Sequence, residues 1–264
     1  MSIQRGNFMA KGGVAPKIDF KCFVIDLDGV VYKGTRLIGK ADKRIATLRR
    51  RGRVIFLTNN STLSRASYVK KLAEFGISAK EDDIVTSGYA AALYIKQKYR
   101  SPRVFIVGED GLKEELEKQG VKVCWRDCNI VLVGLDRNFT YKKLTLALRH
   151  IQNGADFIAT NYDSTLITER GQLPGAGAMV SALITSSKKE PVVTGKPSKI
   201  MAEIVLNKTV FRPDEILLIG DRIETDIKMG KSVGMKTALA LTGYAKRRDI
   251  DESEIKPDFV LDSL

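Results

Sequence analysis

The chain has little of several residue types on which common protein chemistries depend. Its 264 residues include three cysteines, one tryptophan and one histidine, His150. Three cysteines do not make the paired disulfide framework of a small secreted domain. Cys124 and Cys128 lack the second pair of ligands that a zinc site needs, so we expect two ordinary thiols. With a single histidine, mechanisms that require a histidine base have little support.

Long apolar runs are also absent, and the 31 acidic residues are outnumbered by 44 lysines and arginines. No apolar stretch reaches the length of a membrane span, and the N-terminus does not show a secretory signal pattern. The formal net charge is +13, which can indicate nucleic-acid binding. The basic residues, however, are spread along the whole chain and form no run interleaved with aromatic residues. Attraction of small phosphorylated molecules explains the charge equally well, so we expect no nucleic-acid partner and no membrane association.

The most informative segment is FVIDLDGVVYKG, residues 23–34. An apolar, largely β-branched run of this kind is typical of a central parallel strand, and it ends in Asp26, Asp28 and Gly29. Because side chains alternate along a strand, both carboxylates project to the same side, at the strand end where α/β sheets bind ligands. Two such acids can hold a divalent metal ion and leave one oxygen free to react. The plainer alternative is a strand followed by an ordinary Asp-Gly turn.

Three further apolar runs end in polar residues in the same way. The residues that follow these runs are Thr58, Asn59, Asn60 and Ser61 after the first, Gly195, Lys196 and Pro197 after the second, and Gly220, Asp221 and Asp226 after the third. Each group alone is explained by a helix cap or a solvated turn. Together they supply a nucleophilic carboxylate, a hydroxyl donor, a lysine and further carboxylates, which is the set that phosphoryl transfer requires.

In order and spacing, DxDGV, the strand ending in TNN, the GKP lysine and GDRIETD resemble the four motifs of the haloacid dehalogenase superfamily. The similarity is greatest to its NagD-like subfamily, which includes 4-nitrophenyl and phosphoglycolate phosphatases. It extends from about residue 20 to the C-terminus. The resemblance implies a cytoplasmic, Mg²⁺-dependent hydrolase that acts on small phosphorylated metabolites and 4-nitrophenyl phosphate through an aspartyl-phosphate.

The resemblance also implies a role for each motif residue. Asp26 corresponds to the nucleophile and Asp28 to the general acid and base. Mg²⁺ is expected to be bound by Asp26, Asp221 and the backbone carbonyl of Asp28, with Asp226 in an outer layer that orients Lys196 or a metal-bound water. The expected phosphate- and substrate-binding residues are Thr58, Asn59, Asn60 and Lys196.

The predicted fold is α/β: a Rossmann-like core with a parallel sheet and an inserted α/β cap domain. Motif strands lie near both ends of the chain, so residues 18–85 and 187–264 are expected to share the core sheet, and residues 86–186 form the cap. Residues 1–17 are expected to be a flexible leader. In the cap, a loop containing Asn161, Asp163 and Leu166 resembles the substrate-facing segment of NagD-like proteins. A homodimer formed through the cap is left open.

Two alternatives share the same fold. In a phosphotransferase or phosphomutase, the aspartyl-phosphate would pass to another hydroxyl group instead of water. A non-catalytic phosphometabolite-binding protein would usually lack the nucleophile or a metal ligand. Every motif position is occupied in this sequence, which favours an enzyme. Leu166 stands where vertebrate phosphoglycolate and pyridoxal phosphatases place a substrate-contacting histidine, so those two substrates are in doubt.

Overall fold

Two parallel sheets organise the chain, and both are built largely from the apolar runs of the sequence. The computed structural model describes residues 20–264, so the expected leader, residues 1–17, lies outside the described residues. The strands are β1 (Cys22–Asp26), β2 (Tyr32–Lys33), β3 (Arg36–Leu37), β4 (Arg53–Thr58), β5 (Ile84–Thr86), β6 (Arg103–Val107), β7 (Lys122–Val123), β8 (Ile130–Val133), β9 (Asp156–Ala159), β10 (Thr165–Thr168), β11 (Gly171–Pro174), β12 (Val192–Val193), β13 (Ile216–Gly220), β14 (Lys236–Ala240) and β15 (Phe259–Leu261).

Helices connect most of these strands. Side chains of Ser64, Thr86, Thr140 and Ser198 accept hydrogen bonds from first-turn N–H groups and so begin four of the helices. The α-helices are α1 (Ala41–Arg49), α2 (Arg65–Glu74), α3 (Ser87–Lys98), α4 (Asp110–Lys118), α5 (Tyr141–Gln152), α6 (Ala176–Ser187), α7 (Lys199–Asn207), α8 (Lys228–Ser232) and α9 (Arg247–Glu252), and a π-helical segment spans Ile223–Ile227. Within residues 20–264, every helix is too short or too polar to traverse a lipid bilayer.

The core sheet has β1 at its centre. Its strand order is β15-β14-β13-β1-β4-β5, and all of its pairings are parallel. All five residues of β1 are buried, and they alternate between two apolar clusters: Phe23 and Ile25 pack on one face, Cys22 and Val24 on the other. The continuous apolar run is therefore explained by a strand that is covered on both faces. The expected α/β class with parallel sheets is confirmed.

The second sheet has the order β12-β9-β8-β6-β7 and is also parallel throughout. One expectation about it was wrong. We placed the strand before Lys196 in the core sheet, whereas Val192–Val193 pairs with Ile158 and Ala159 of β9. Two residues form too short an apolar run to indicate which of two similar sheets they join. The lysine motif thus enters the site from the second sheet, beyond the boundary expected at residue 186.

Two local features also differ from expectation. Cys124 and Cys128 are joined in a disulfide, whereas we expected two thiols. The turn between them, with Asp127 at φ 53°, brings their Cα atoms to 6.2 Å, within the span of a disulfide. The expected cap loop after Asn161 is largely an antiparallel hairpin, β10–β11, which belongs to neither parallel sheet.

Candidate active site

The predicted site residues come together in one cavity at the carboxyl end of the core sheet, facing the second sheet. The side chains that line it include every residue singled out from the sequence: Asp26, Asp28, Thr58, Asn59, Asn60, Asn161, Asp163, Leu166, Lys196, Asp221 and Asp226. The strand tips of β1, β4 and β13 supply the core residues, because parallel strands present their carboxyl ends at the same edge. The segments after β9 and β12 bring in the others from the second sheet.

Lys196 lies between two carboxylates. Its Nζ donates to Asp26 Oδ1 at 2.5 Å and to Asp226 Oδ1 at 2.6 Å, and all three side chains are buried. Burial acts to lower the pKa of Lys196, but Asp226 and Asp26 outweigh it and raise that pKa. Burial raises the pKa of Asp26, and Lys196 opposes the rise. The ammonium group therefore lies where it offsets the negative charge of both Asp26 and Asp226.

Three buried carboxylates form a group beside this lysine. One oxygen from each of Asp26, Asp221 and Asp226 lies within 4.8 Å of the others. Burial, and then Asp226, raise the pKa of Asp221 to about 7. A Cβ at Gly29, where φ is +89°, would lie 2.3 Å from Asp221 Oδ2, so the glycine of the first motif leaves room for this carboxylate.

This group fits a magnesium ion. Its donors are all oxygen atoms, which Mg²⁺ prefers, and the three buried carboxylates exceed the two positive charges of Lys196 and the neighbouring Arg222. The excess of negative charge is costly to bury without a further cation. Asp226, which the sequence placed in an outer layer, lies in the carboxylate group and also holds Lys196.

Asp28 is suited to carry a proton. Thr58 Oγ1 donates to Asp28 Oδ2 at 3.2 Å. Burial raises the pKa of Asp28, while Lys71 and the hydrogen bond from Thr58 act to lower it. Lys71 was not singled out from the sequence. It belongs to α2, and only the folded packing shows that this helical position lies near the acid.

Asn59 joins three segments. Its Oδ1 accepts from the Lys196 backbone N–H at 2.8 Å, and its Nδ2 donates to Lys196 O and Asp163 Oδ1, each at 3.1 Å. Its backbone carbonyl accepts from the side chains of Ser87 and Asn161. The Asn59 side chain therefore holds the lysine and the segment after β9 in place. Asp163 contacts Asn59 from that segment, while Leu166 lines the cavity from β10.

Arg222 is a site residue that sequence reasoning did not single out. It lines the cavity directly after Asp221, and its Nη2 donates to the Thr165 carbonyl at 2.7 Å. The only signal in the sequence is its position within GDRIETD. Its hydrogen-bond partner lies more than fifty positions earlier in the chain, so neither the spacing nor the composition of the sequence indicates this contact.

Comparison with known proteins identifies the family. Residues 23–122 match the model of haloacid dehalogenase-like hydrolases, and residues 193–264 match a second model described as HAD-hydrolase-like. The 5′-nucleotidase YutF of Bacillus subtilis (strain 168) is 38% identical over 246 residues, covering 93% of this chain and 96% of the relative. The chain belongs to the haloacid dehalogenase-like hydrolases. The expected family and its NagD-like subfamily are confirmed, and the protein is a phosphatase of this family.

Solved structures of the family have the same architecture over nearly the whole chain. A p-nitrophenyl phosphatase from Archaeoglobus fulgidus is 34% identical, with a TM-score of 0.86, and the match covers 93% of this chain and 97% of that one. The glycerol phosphate phosphatase Rv1692 from Mycobacterium tuberculosis, solved in complex with magnesium, is 33% identical, with a TM-score of 0.87. That match covers 93% of this chain and 75% of that one.

Proposed function

We propose that this phosphatase hydrolyses small phosphomonoesters, including 4-nitrophenyl phosphate, with Mg²⁺ and through an aspartyl-phosphate on Asp26. The observation that carries the proposal is the contact between Asp26 and Lys196 in a cavity that also contains Asp28 and the carboxylate group. The magnesium complex of the related glycerol phosphate phosphatase supports the proposed metal, and the similarity to a p-nitrophenyl phosphatase supports the test substrate.

In the proposed mechanism, a carboxylate oxygen of Asp26 attacks phosphorus while the bond to the leaving oxygen breaks. That oxygen takes the proton of Asp28. Asp28 then takes a proton from a water molecule, whose oxygen attacks the phosphorus of the aspartyl-phosphate and releases inorganic phosphate and Asp26. Throughout, the Thr58 hydroxyl, the Asn59 backbone N–H and the Lys196 ammonium hold the phosphoryl oxygens.

Magnesium would be held by the carboxylates of Asp26 and Asp221 and by the backbone carbonyl of Asp28. When bound, it supplies positive charge that offsets the repulsion between a phosphate and the buried acids. Asp226 keeps Lys196 directed towards Asp26, since the lysine donates to both.

We propose that residues 86–186, which carry most of the second sheet, act as a cap that selects the leaving group. Among the described residues, the cavity lining contains no aromatic ring on which a nucleobase could stack. Leu135, Leu166 and Ile167 give it a small apolar wall instead. These features favour small aliphatic or sugar phosphates over nucleotides.

A panel assay tests the proposal. Wild-type protein and Asp26→Asn would be incubated with Mg²⁺ and with 4-nitrophenyl phosphate, glycerol phosphates, sugar phosphates, phosphoglycolate and nucleoside monophosphates, and both products would be measured. We expect equal amounts of inorganic phosphate and dephosphorylated product, loss of activity in chelator and recovery with Mg²⁺. Phosphate passed to an added alcohol in place of release would indicate a phosphotransferase. Activity that survives chelation would contradict the metal assignment.

A further inference from the structure

The hairpin β10–β11 is held in place by contacts with other parts of the chain. It is hydrogen-bonded to neither parallel sheet, and an isolated two-stranded hairpin is marginally stable in water. Yet its first strand lines the cavity through Thr165, Leu166 and Ile167. Whatever fixes this hairpin therefore fixes one wall of the site.

Among the described residues, hydrogen bonds attach the hairpin segment to the core at three places. Before its first strand, Asp163 accepts from Asn59. At its tip, Glu169 accepts from Thr35 at 3.2 Å, but this pair is exposed, and exposed polar pairs contribute little. Between them, Arg222 donates to the Thr165 carbonyl at 2.7 Å, with the guanidinium largely shielded from water. A hydrogen bond from a buried charged group is the strongest kind available here.

The surroundings of Arg222 fix its guanidinium group. Its Cζ lies 4.3 Å from the centroid of the Tyr244 ring, and its backbone N–H donates to Asp226 Oδ2. Burial acts to lower the pKa of Arg222, but Asp163 and Asp221 outweigh it and raise that pKa, so the group stays charged. A planar cation that stacks on a ring and donates from its edge is a role that lysine cannot reproduce.

We propose that Arg222 is a positioning residue that holds the β10–β11 hairpin over the active site and thereby determines how tightly the leaving group is bound. Arg222 connects the hairpin to the segment that carries Asp221 and Asp226, so the wall facing the leaving group is fixed relative to the core. The kinetic part of this inference rests on the proposed hydrolysis of phosphomonoesters. The structural part does not.

Hydrogen–deuterium exchange tests the structural part without any substrate. In Arg222→Met, we expect the backbone amides of residues 165–173 to exchange roughly 10-fold faster or more, the scale of losing one hydrogen bond to a charged group. Amides of β1, β4 and β8 should keep their wild-type rates. Lys228→Met, which removes an exposed cation from the same segment, is the matched control and should change neither region. Unchanged exchange in the hairpin, or equal acceleration throughout both sheets, would overturn the inference.

Steady-state kinetics test what the hairpin does. For alkyl and sugar phosphates, Arg222→Met should raise KM by roughly 10-fold with kcat changed far less, the pattern of lost ground-state binding. The Mg²⁺ concentration for half-maximal rate should stay as in the wild type. Arg222→Lys keeps the charge near Asp221 but not the planar fork, so it should keep the Mg²⁺ dependence without restoring hairpin protection. If Arg222→Met instead shifts the Mg²⁺ dependence and leaves the hairpin protected, Arg222 acts on the metal site and the proposal is wrong.

Discussion

Asp26 is the residue on which the proposed chemistry depends most. It is buried, and the ammonium group of Lys196 contacts it directly. Asp26→Asn keeps the shape of the side chain but removes the attacking oxygen charge. We expect turnover of 4-nitrophenyl phosphate with Mg²⁺ to fall by ~1000-fold or more, the scale of losing an essential catalytic group. A variant that retained more than a tenth of wild-type turnover would contradict the assignment.

The contribution of Asp28 to the rate of ester cleavage is expected to be larger for leaving groups that need a proton. Nitrophenolate is a good leaving group without protonation, whereas an alkoxide needs a proton in order to leave. Asp28→Asn should therefore reduce kcat/KM, which reports formation of the aspartyl-phosphate, by roughly 100-fold or more for alkyl phosphates and by much less for 4-nitrophenyl phosphate. Because burial raises the pKa of Asp28, the wild-type acid stays protonated to a higher pH than an ordinary aspartate. Wild-type rates on alkyl phosphates should fall as the pH rises through that raised pKa. Equal losses on both substrate types would argue against Asp28 as the acid.

Asp221 links the site to the stability of the metal-free protein. Its pKa is raised from an ordinary 3.8 to about 7, so the folded state binds the proton more tightly than the unfolded state. The resulting stability is fully present below pH 3.8 and is lost as the pH rises through about 7. Mg²⁺, which binds the ionised carboxylates, should therefore raise the melting temperature more at pH 8 than at pH 5.

Thermal unfolding of matched variants checks this sign. Asp221→Asn should flatten both the pH dependence of the metal-free protein and the response to Mg²⁺, whereas the exposed Asp214→Asn should leave both unchanged. If metal-free Asp221→Asn loses as much stability as the wild type between pH 5 and pH 8, Asp221 is not the group responsible.

The motif residues could be anticipated because strand position alone determines where they lie. A polar residue directly after a buried parallel strand lies at the binding edge, whatever the rest of the chain does. Arg222, and the contact of Asp163 with Asn59, could not be anticipated in this way. Both depend on which segments of the second sheet approach the core, and that packing is not encoded in any local pattern.

At the scale of elements, long apolar runs predicted their strands well and short ones did not. Arg53–Thr58 and Ile216–Gly220 are the strands formed by the apolar runs that end at Thr58 and Gly220. The hairpin β10–β11 was taken for a loop, because TLIT and GQLP are short and lack a full alternation of apolar and polar residues. Pairing in such segments is decided by the surrounding structure rather than by propensity.

An ion pair connects α2, which follows a strand of the core sheet, to α4, which follows a strand of the second sheet. Its contribution to stability can be measured. Arg65, the first residue of α2, donates from its backbone N–H and its Nε to Glu115 of α4, which is fully buried. Glu115→Ala would leave the buried Arg65 without its main partner and the first backbone N–H of α2 without its acceptor. We expect a loss of about 3 kcal/mol in the free energy of unfolding, measured by urea denaturation. Glu117→Ala on the same helix removes an exposed acid and should cost under about 0.5 kcal/mol. Similar losses in the two variants would show that burial of the pair does not matter.

At the scale of the whole molecule, the cavity lies between the core sheet and the second sheet, and we expect each to contact a different part of the substrate. In the proposed mechanism the core motifs contact only the phosphoryl group and the metal, so they would not distinguish one phosphomonoester from another. Discrimination must come from side chains that reach the leaving group from the second sheet. Asp163 and Leu166 both line the cavity from that side, but only Asp163 is hydrogen-bonded to the phosphate-binding segment.

This difference predicts opposite kinetic patterns for two nearby substitutions. Leu166→Asn should change the ratio of kcat/KM among metabolite phosphates by ~10-fold or more, the range available from one or two altered pocket contacts, and should barely affect 4-nitrophenyl phosphate. Asp163→Asn weakens the support of Asn59 and should lower kcat/KM for every substrate by a similar factor. The same panel assay measures both. If Leu166→Asn rescales all substrates equally, the hairpin does not contact the leaving group, and selection must lie elsewhere in the second sheet.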